Sequence, residues 1–254
     1  MPLLTPADPA PFRVLREAGA SDFFLTADHA GRAIPMALGD LGVPKAEMER
    51  HIAWDIGIAA TTEHLSALLD ATAVLQTYSR LVIDCNRDPA WLSAMPEVSE
   101  HTPIPGNINL TAADKAARVE TIFTPYHNRI TALLNARRDA GRRTIVVAMH
   151  SFTPVFKGES RAMQIGVLYN RDPTFSRILL DLLEAEGDLV IGDNAPYAIT
   201  ETSDYGIPIH AERRGLPHVE IEIRQDLIAG DAGQRAWAER LCRLLTAADA
   251  RLNP

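Results

Sequence analysis

The chain has 254 residues, 46% of them hydrophobic, which is enough to bury one substantial core. Its formal net charge of -8 supplies no overall basic surface for the phosphate neutralisation on which non-specific nucleic-acid binding depends. The two cysteines, Cys85 and Cys242, are too few for a disulfide framework or a cysteine-ligated zinc site, so a reducing cytoplasm is the expected setting. In chain order, the opening MPLLTPADPAPF lacks the basic and apolar regions of a signal peptide, and no later stretch reaches the roughly 20 apolar residues of a membrane span. Residues 23–27 (FFLTA) read as a buried strand that stops at a polar turn, Asp28-His29-Ala30-Gly31. A helical stretch follows Pro44, and a second runs from about Asp55 to Leu69. Ala73–Tyr78 and Leu81–Asp84 read as strand.

The segment 88–109 holds Pro89, Pro96, Pro103, Pro105 and Gly106 and reads as a long loop, a length that is usually functional inside a compact domain. Thr111 with Asp114 forms a capping pattern ahead of a helix that carries Val119, Ile122, Phe123, Tyr126, Ile130, Leu133 and Leu134, and Pro125 should kink it. Residues 144–149 (TIVVAM), 164–169, 189–191 and 219–223 are strand candidates, with helices at 173–186 and around Trp237, Leu241, Leu244 and Leu245. This alternation predicts a single α/β domain over 1–254, with three layers: a mixed or mostly parallel sheet and helices on both faces.

Ligands of open α/β sheets bind at the carboxyl ends of the strands. His29 follows FFLTA, His150 follows TIVVAM, and Arg80, Asn86 and Arg87 flank LVIDC, so these residues are expected to converge. A catalytic zinc takes three ligands from His, Asp or Glu and keeps a position for water. His29 and His150 are the nitrogen candidates, and Asp55 in HIAWDIG is the third, although aspartate also suits a helix start with no metal. His51, one turn earlier, is a weaker alternative. The strand HVEIEIR puts Glu220 and Glu222 on one face, where an interior strand would be apolar, and Glu222 is favoured as the proton-transfer group. Arg80 and the Asn86–Arg87 pair are placed for two tasks, stabilising charge on an amide oxygen and holding a substrate carboxylate, and their spacing becomes informative only through the resemblance below. Arg161, Tyr205 and His210 lie on predicted loops and are candidate pocket residues.

TADHAGRAIP, YSRLVIDCNRDP, MHSF, IGVLYNRD, GDNAPY and VEIEIRQDLI occur in this order, and over about residues 21–230 the chain resembles the N-formylglutamate amidohydrolase family. The resemblance implies a phosphorylase/hydrolase-like fold related to zinc carboxypeptidases and aspartoacylase, with one catalytic zinc and a small carboxylate-bearing substrate. On it, His29 and His150 are ligands, Asp55 or a nearby acid completes the set, Arg80 polarises the carbonyl, Asn86 and Arg87 hold a carboxylate, and Glu222 is base and acid. Where the carboxypeptidases place a glutamate three residues after the first histidine, this chain has Arg32. Two other readings follow: a carboxypeptidase-like hydrolase of another amide or peptide, and a non-catalytic carboxylate-binding protein.

Overall fold

Seven strands form the central sheet of the computed structural model, which describes residues 2–200 and 202–252. They are β1 (Phe12–Leu15), β2 (Phe23–Ala27), β3 (Thr72–Gln76), β6 (Ile145–Phe152), β9 (Ile165–Leu168), β10 (Ile191–Asp193) and β11 (His218–Arg224). Between them lie two short hairpins, β4 (Val98–Ser99) with β5 (Thr102–Pro103) and β7 (Val155–Phe156) with β8 (Glu159–Ser160). The spatial order is β1-β3-β2-β6-β11-β9-β10. Strands β3, β2, β6 and β11 run parallel, while β1 against β3 and β9 against β11 are antiparallel, giving the mixed and mostly parallel sheet expected.

The helices are α1 (Lys45–Met48), α2 (Ile58–Leu69), α3 (Ala112–Arg118), α4 (Thr124–Asp139), α5 (Thr174–Glu186) and α6 (Asp231–Leu252). Strand alternation sorts the core into two layers. Leu25, Leu75, Val147, Val167 and Ile221 face α2, α5 and α6 through Leu65, Leu179 and Leu241. Phe24, Val74, Val146 and Ala148 face the other side, where Tyr126, Ile130 and Leu134 of α4 cover them. Strand β11 departs from this pattern on the second side only: Val219, Ile221 and Ile223 are core, whereas His218, Glu220 and Glu222 alternate with them and are buried too.

Two local predictions change. Leu81–Asp84 is not a strand but an irregular buried turn. Its carbonyls are satisfied by side chains instead of a neighbouring strand: Asn107 Nδ2 donates to Leu81 O at 2.9 Å and the buried Arg118 donates to Val82 O at 2.8 Å. The edge strand β1 was not anticipated, because FRVL is short and half exposed and pairs only through β3. Around Pro125 the helix does not simply kink. Helical backbone runs without a break from α3 through a wide π-type turn over Val119–Phe123 into α4, and that wide turn ends two residues before Pro125, which has no N–H to continue the regular bonding.

The segment 88–109 is a loop, as expected, carrying short 3-10 turns and the β4/β5 hairpin. Asn107 and Arg118 pin it. Asn107 Nδ2 also reaches Pro96 O, and Arg118 donates to Asn107 Oδ1 and Gly106 O. Among the described residues no helix is long and apolar enough to cross a membrane.

Candidate active site

The carboxyl ends of β2, β6 and β11 and the turn that follows β3 open onto one cavity of about 460 Å³. His29 stands just beyond β2, His150 lies near the end of β6, and Glu222 is paired in register with His150 across β11. Asp55 precedes α2. Its side chain does not cap that helix but turns inward, and its N–H bonds His29 O at 3.0 Å, tying the two segments together. Gly57 makes the turn possible: its φ is +81°, and a Cβ there would lie 2.1 Å from Ile228 O.

The imidazoles of His29 and His150, 121 positions apart by number (150 minus 29), have ring centroids 5.0 Å apart. Asp55 Oδ2 lies between them, 3.0 Å from His150 Nδ1 and 3.5 Å from His29 Nδ1, and it accepts a bond from the Ser151 N–H. One ligand atom from each of His29, Asp55 and His150 falls within 4.8 Å of the others, and all three residues are buried. His29 Nε2 donates to Asp84 Oδ1 at 2.7 Å, which leaves His29 Nδ1 buried with no hydrogen-bond partner. His150 Nε2 is also unpartnered, 3.8 Å from Asp28 Oδ2. Each imidazole therefore turns one nitrogen toward the shared aspartate; the other nitrogen of His29 is bonded to Asp84, the outer-carboxylate arrangement common around metal-ligating histidines, whereas that of His150 faces Asp28 without a bond.

Charge explains why this set suits a cation. Burial would raise the Asp55 pKa, but His29 and His150 hold it well below the usual carboxylate range. Burial opposes charge on His150, yet Glu220 and Asp55 carry its pKa well above the ordinary imidazole value. Two imidazole nitrogens and one carboxylate oxygen directed at a common point could hold a divalent ion and leave a position free for water. Arg32, at the position where carboxypeptidases carry an acid, takes no part. It stacks over Trp54 at 4.8 Å and pairs with Glu49 outside the site.

Glu220 and Glu222 are both buried, and each has an Oε2 with no hydrogen-bond partner. Burial pushes the Glu222 pKa up to about 7, with His150 pulling the other way. The same burial sends Glu220 well above the carboxylate range. Glu222 stands beside His150, whereas Glu220 pairs with Ala148 one step deeper. Arg80 grips Asp84 Oδ2 through Nη2 and Nε at 2.7 and 3.0 Å, leaving Nη1 3.5 Å from Asp55 Oδ1. Burial works against its charge, and Asp84 and Asp55 restore it.

Asn86 and Arg87 line the same cavity, as does His51, whose Nε2 faces Glu100 at 3.6 Å rather than the imidazole pair. Arg161 does not line the cavity; it stacks at 4.7 and 4.8 Å against Phe156 and Tyr197, which do, and donates to Tyr197 Oη at 2.9 Å. Tyr205 lines a neighbouring cavity of about 190 Å³ instead of the main one. His210 lines neither cavity. It is buried behind the site, with Nε2 2.8 Å from His127 Nδ1.

The N-formylglutamate amidohydrolase family model matches residues 21–229. The chain belongs to the N-formylglutamate amidohydrolase family. Its fold is close to that of the Agrobacterium tumefaciens gene product Atu2144, with a TM-score of 0.97 and 37% identity over 99% of this chain and 100% of that one. It shares the fold of the N-formylglutamate amidohydrolase of Ralstonia eutropha JMP134, with a TM-score of 0.64 and 22% identity over 96% of this chain and 97% of that one. No curated protein matches the sequence.

In this family member, local sequence does not mark Asp84 or Asp28 as site residues: Asp84 lies in an apolar segment that reads as strand, and Asp28 directly precedes the histidine that carries the signal. Burial would raise the Asp84 pKa, but Arg80 and His29 hold it well below the usual range, so it accepts from His29 Nε2 as a carboxylate. If the His29–Asp55–His150 cluster holds a metal ion, Asp84→Asn should weaken the affinity for it by about 10–100-fold while leaving the fold intact, measured by competition with a chelator. An unchanged affinity would remove Asp84 from the site.

Behind the cavity, His127 Nε2 donates to Cys85 O at 2.9 Å, so its Nδ1 is the acceptor for His210 Nε2–H, and both rings are neutral. Burial lowers the pKa of each, that of His210 to about 3. Because the unfolded chain binds protons here first, stability should fall as pH drops below about 6.5, by about 1.4 kcal/mol per pH unit for each imidazole. Denaturant titrations between pH 7 and 5 should show a shallower loss for His210→Gln, whose amide can still donate to His127. An identical slope would show that this pair does not titrate on unfolding.

Proposed function

We propose that the protein is a zinc-dependent amidohydrolase that cleaves the amide bond of a small N-acyl amino acid, with N-formylglutamate as the leading substrate. The observation that carries this reading is the meeting of His29, Asp55 and His150 beside the unpaired carboxylate of Glu222 in one cavity. A zinc ion held by those three residues would polarise the scissile carbonyl and make water a better nucleophile. Glu222 takes a proton from the attacking water and delivers it to the departing nitrogen, so that one water is consumed and an acid and an amine are released. Its raised pKa, about 7, suits both halves of that transfer near neutral pH. Arg80 Nη1 stabilises the charge that develops on the amide oxygen, and Asn86 with Arg87 receives the substrate's carboxylate.

The cavity of about 460 Å³ suits a small substrate. We assign the whole chain to one catalytic domain, working in the cytoplasm, where the free Cys85 and Cys242 would stay reduced. The deciding experiment is a panel of N-formyl, N-acetyl and dipeptide substrates assayed with zinc-loaded and chelator-treated protein. Hydrolysis of N-formylglutamate that vanishes on chelation and returns with zinc is expected. Hydrolysis of dipeptides alone would replace this reading with a carboxypeptidase-like one, and full activity of zinc-free protein would reject the mechanism.

A further inference from the structure

The Asn86–Arg87 clamp already holds a carboxylate, and it comes from the protein. Asp204 Oδ1 accepts from Asn86 Nδ2 at 3.0 Å and from Arg87 Nη1 at 3.3 Å, while its Oδ2 accepts from Ser203 Oγ at 2.5 Å. Among the described residues, Asp204 is the only carboxylate paired with Arg87. Its side chain is 12% exposed, and the residue lines both the main cavity and the neighbouring one of about 190 Å³, so it forms part of the wall between them.

We infer that Asp204 is a specificity-determining residue: it fills the place of a substrate carboxylate in the Asn86–Arg87 clamp and so holds down affinity for ligands that bring one. This rests on the reading that the clamp is where a substrate carboxylate binds. The geometry says how the competition works. Arg87 meets Asp204 through one nitrogen at 3.3 Å, longer than the roughly 2.7–2.9 Å of a strong charge-assisted bond, whereas an untethered carboxylate can engage the guanidinium through two parallel bonds. The backbone on the carboxyl side does not depend on the Asp204 carboxylate for its place. Asn86 Oδ1 accepts from the N–H groups of Tyr205 and Gly206 at 2.9 and 2.8 Å, so the side chain can turn away while the chain stays anchored. A neutral end group gains nothing from displacing Asp204, and an anionic one must do so against a like charge.

The test uses zinc-loaded protein and glutarate as an unreactive dicarboxylate probe, with binding followed by calorimetry. Asp204→Asn keeps the shape and removes the charge, and should tighten glutarate binding about tenfold, equivalent to about 1.4 kcal/mol. Asp204→Ala should tighten it as well, and adding Arg87→Ala to Asp204→Asn should abolish the gain. In turnover, Asp204→Asn should lower KM for an N-formyl amino acid and leave KM for the matching carboxamide unchanged. If both Asp204 variants keep their melting temperature and bind glutarate no tighter, while Arg87→Ala weakens binding, the clamp stands and the role of Asp204 is overturned. If Arg87→Ala changes glutarate binding in neither background, the clamp reading itself fails and takes the inference with it.

Discussion

Replacing Glu222 by glutamine is expected to lower kcat by about 10²–10⁴-fold, the usual contribution of a positioned proton-transfer group. The substitution keeps the shape of a buried side chain that stands beside His150 in the β6–β11 register, and it removes only the ability to accept a proton. Metal content and KM should therefore stay near the parent values, which separates loss of chemistry from loss of the site. The pH profile gives an independent readout. A base works only when deprotonated, so the parent rate should climb with pH as Glu222 gives up its proton, at or below the value of about 7 to which burial lifts it without a bound cation, and that limb should be absent from the variant. Glu220→Gln is the necessary companion, because Glu220 is equally buried and also has an unpaired oxygen. Should Glu220→Gln lose the activity and Glu222→Gln keep it, the roles of the two carboxylates are exchanged.

The second large effect concerns the ligand set. His29→Ala, His150→Ala and Asp55→Asn should each take bound zinc from about one per chain toward none and reduce activity by about 10³-fold or more, because several kcal/mol of charge stabilisation depends on the ion. The three side chains are expected to act as one unit, since each faces the other two within 4.8 Å, so a double variant should lose little beyond a single one. Elemental analysis after dialysis measures the metal directly, and thermal unfolding with and without zinc measures its contribution to stability. Asp55→Asn is the most informative of the three. It keeps the group that receives the Ser151 N–H while weakening the ligand, and normal zinc content in that variant would return the third position to another acid.

The layers of the fold were legible where the residue pattern has a period. FFLTA, TIVVAM and HVEIEIR read as strands because β-branched and apolar residues fill them, and each is found in the sheet. Leu81–Asp84 has the same composition but lies in a turn, because Asn107 and Arg118, 26 and 36 positions away from the carbonyls they bond, supply the donors that a neighbouring strand would have supplied. Local composition records that a segment is buried; it does not record which groups satisfy its backbone. The same limit applies to the loop residues. Arg161 stacks behind two cavity-lining aromatic residues, Tyr205 lines the adjacent space, and His210 packs on His127, although all three read alike as polar or aromatic residues on loops.

From the sequence alone came the residue types at the strand ends, the paired carboxylates of an interior strand and the order of segments shared with a family of amidohydrolases. These are properties of short windows, and the two-residue period of a strand is enough to reveal them. Tertiary structure alone decided that Asp55 lies between His29 and His150, that Asp84 and Asp28 stand behind those imidazoles, and that Asp204 occupies the Asn86–Arg87 clamp. These contacts join residues 26 to 122 positions apart, from His29 with Asp55 (55 minus 29) to His150 with Asp28 (150 minus 28), with Asn86 and Asp204 118 apart. Such meetings are set by how the strands are ordered in the sheet and by the burial of charge that only the packed molecule creates.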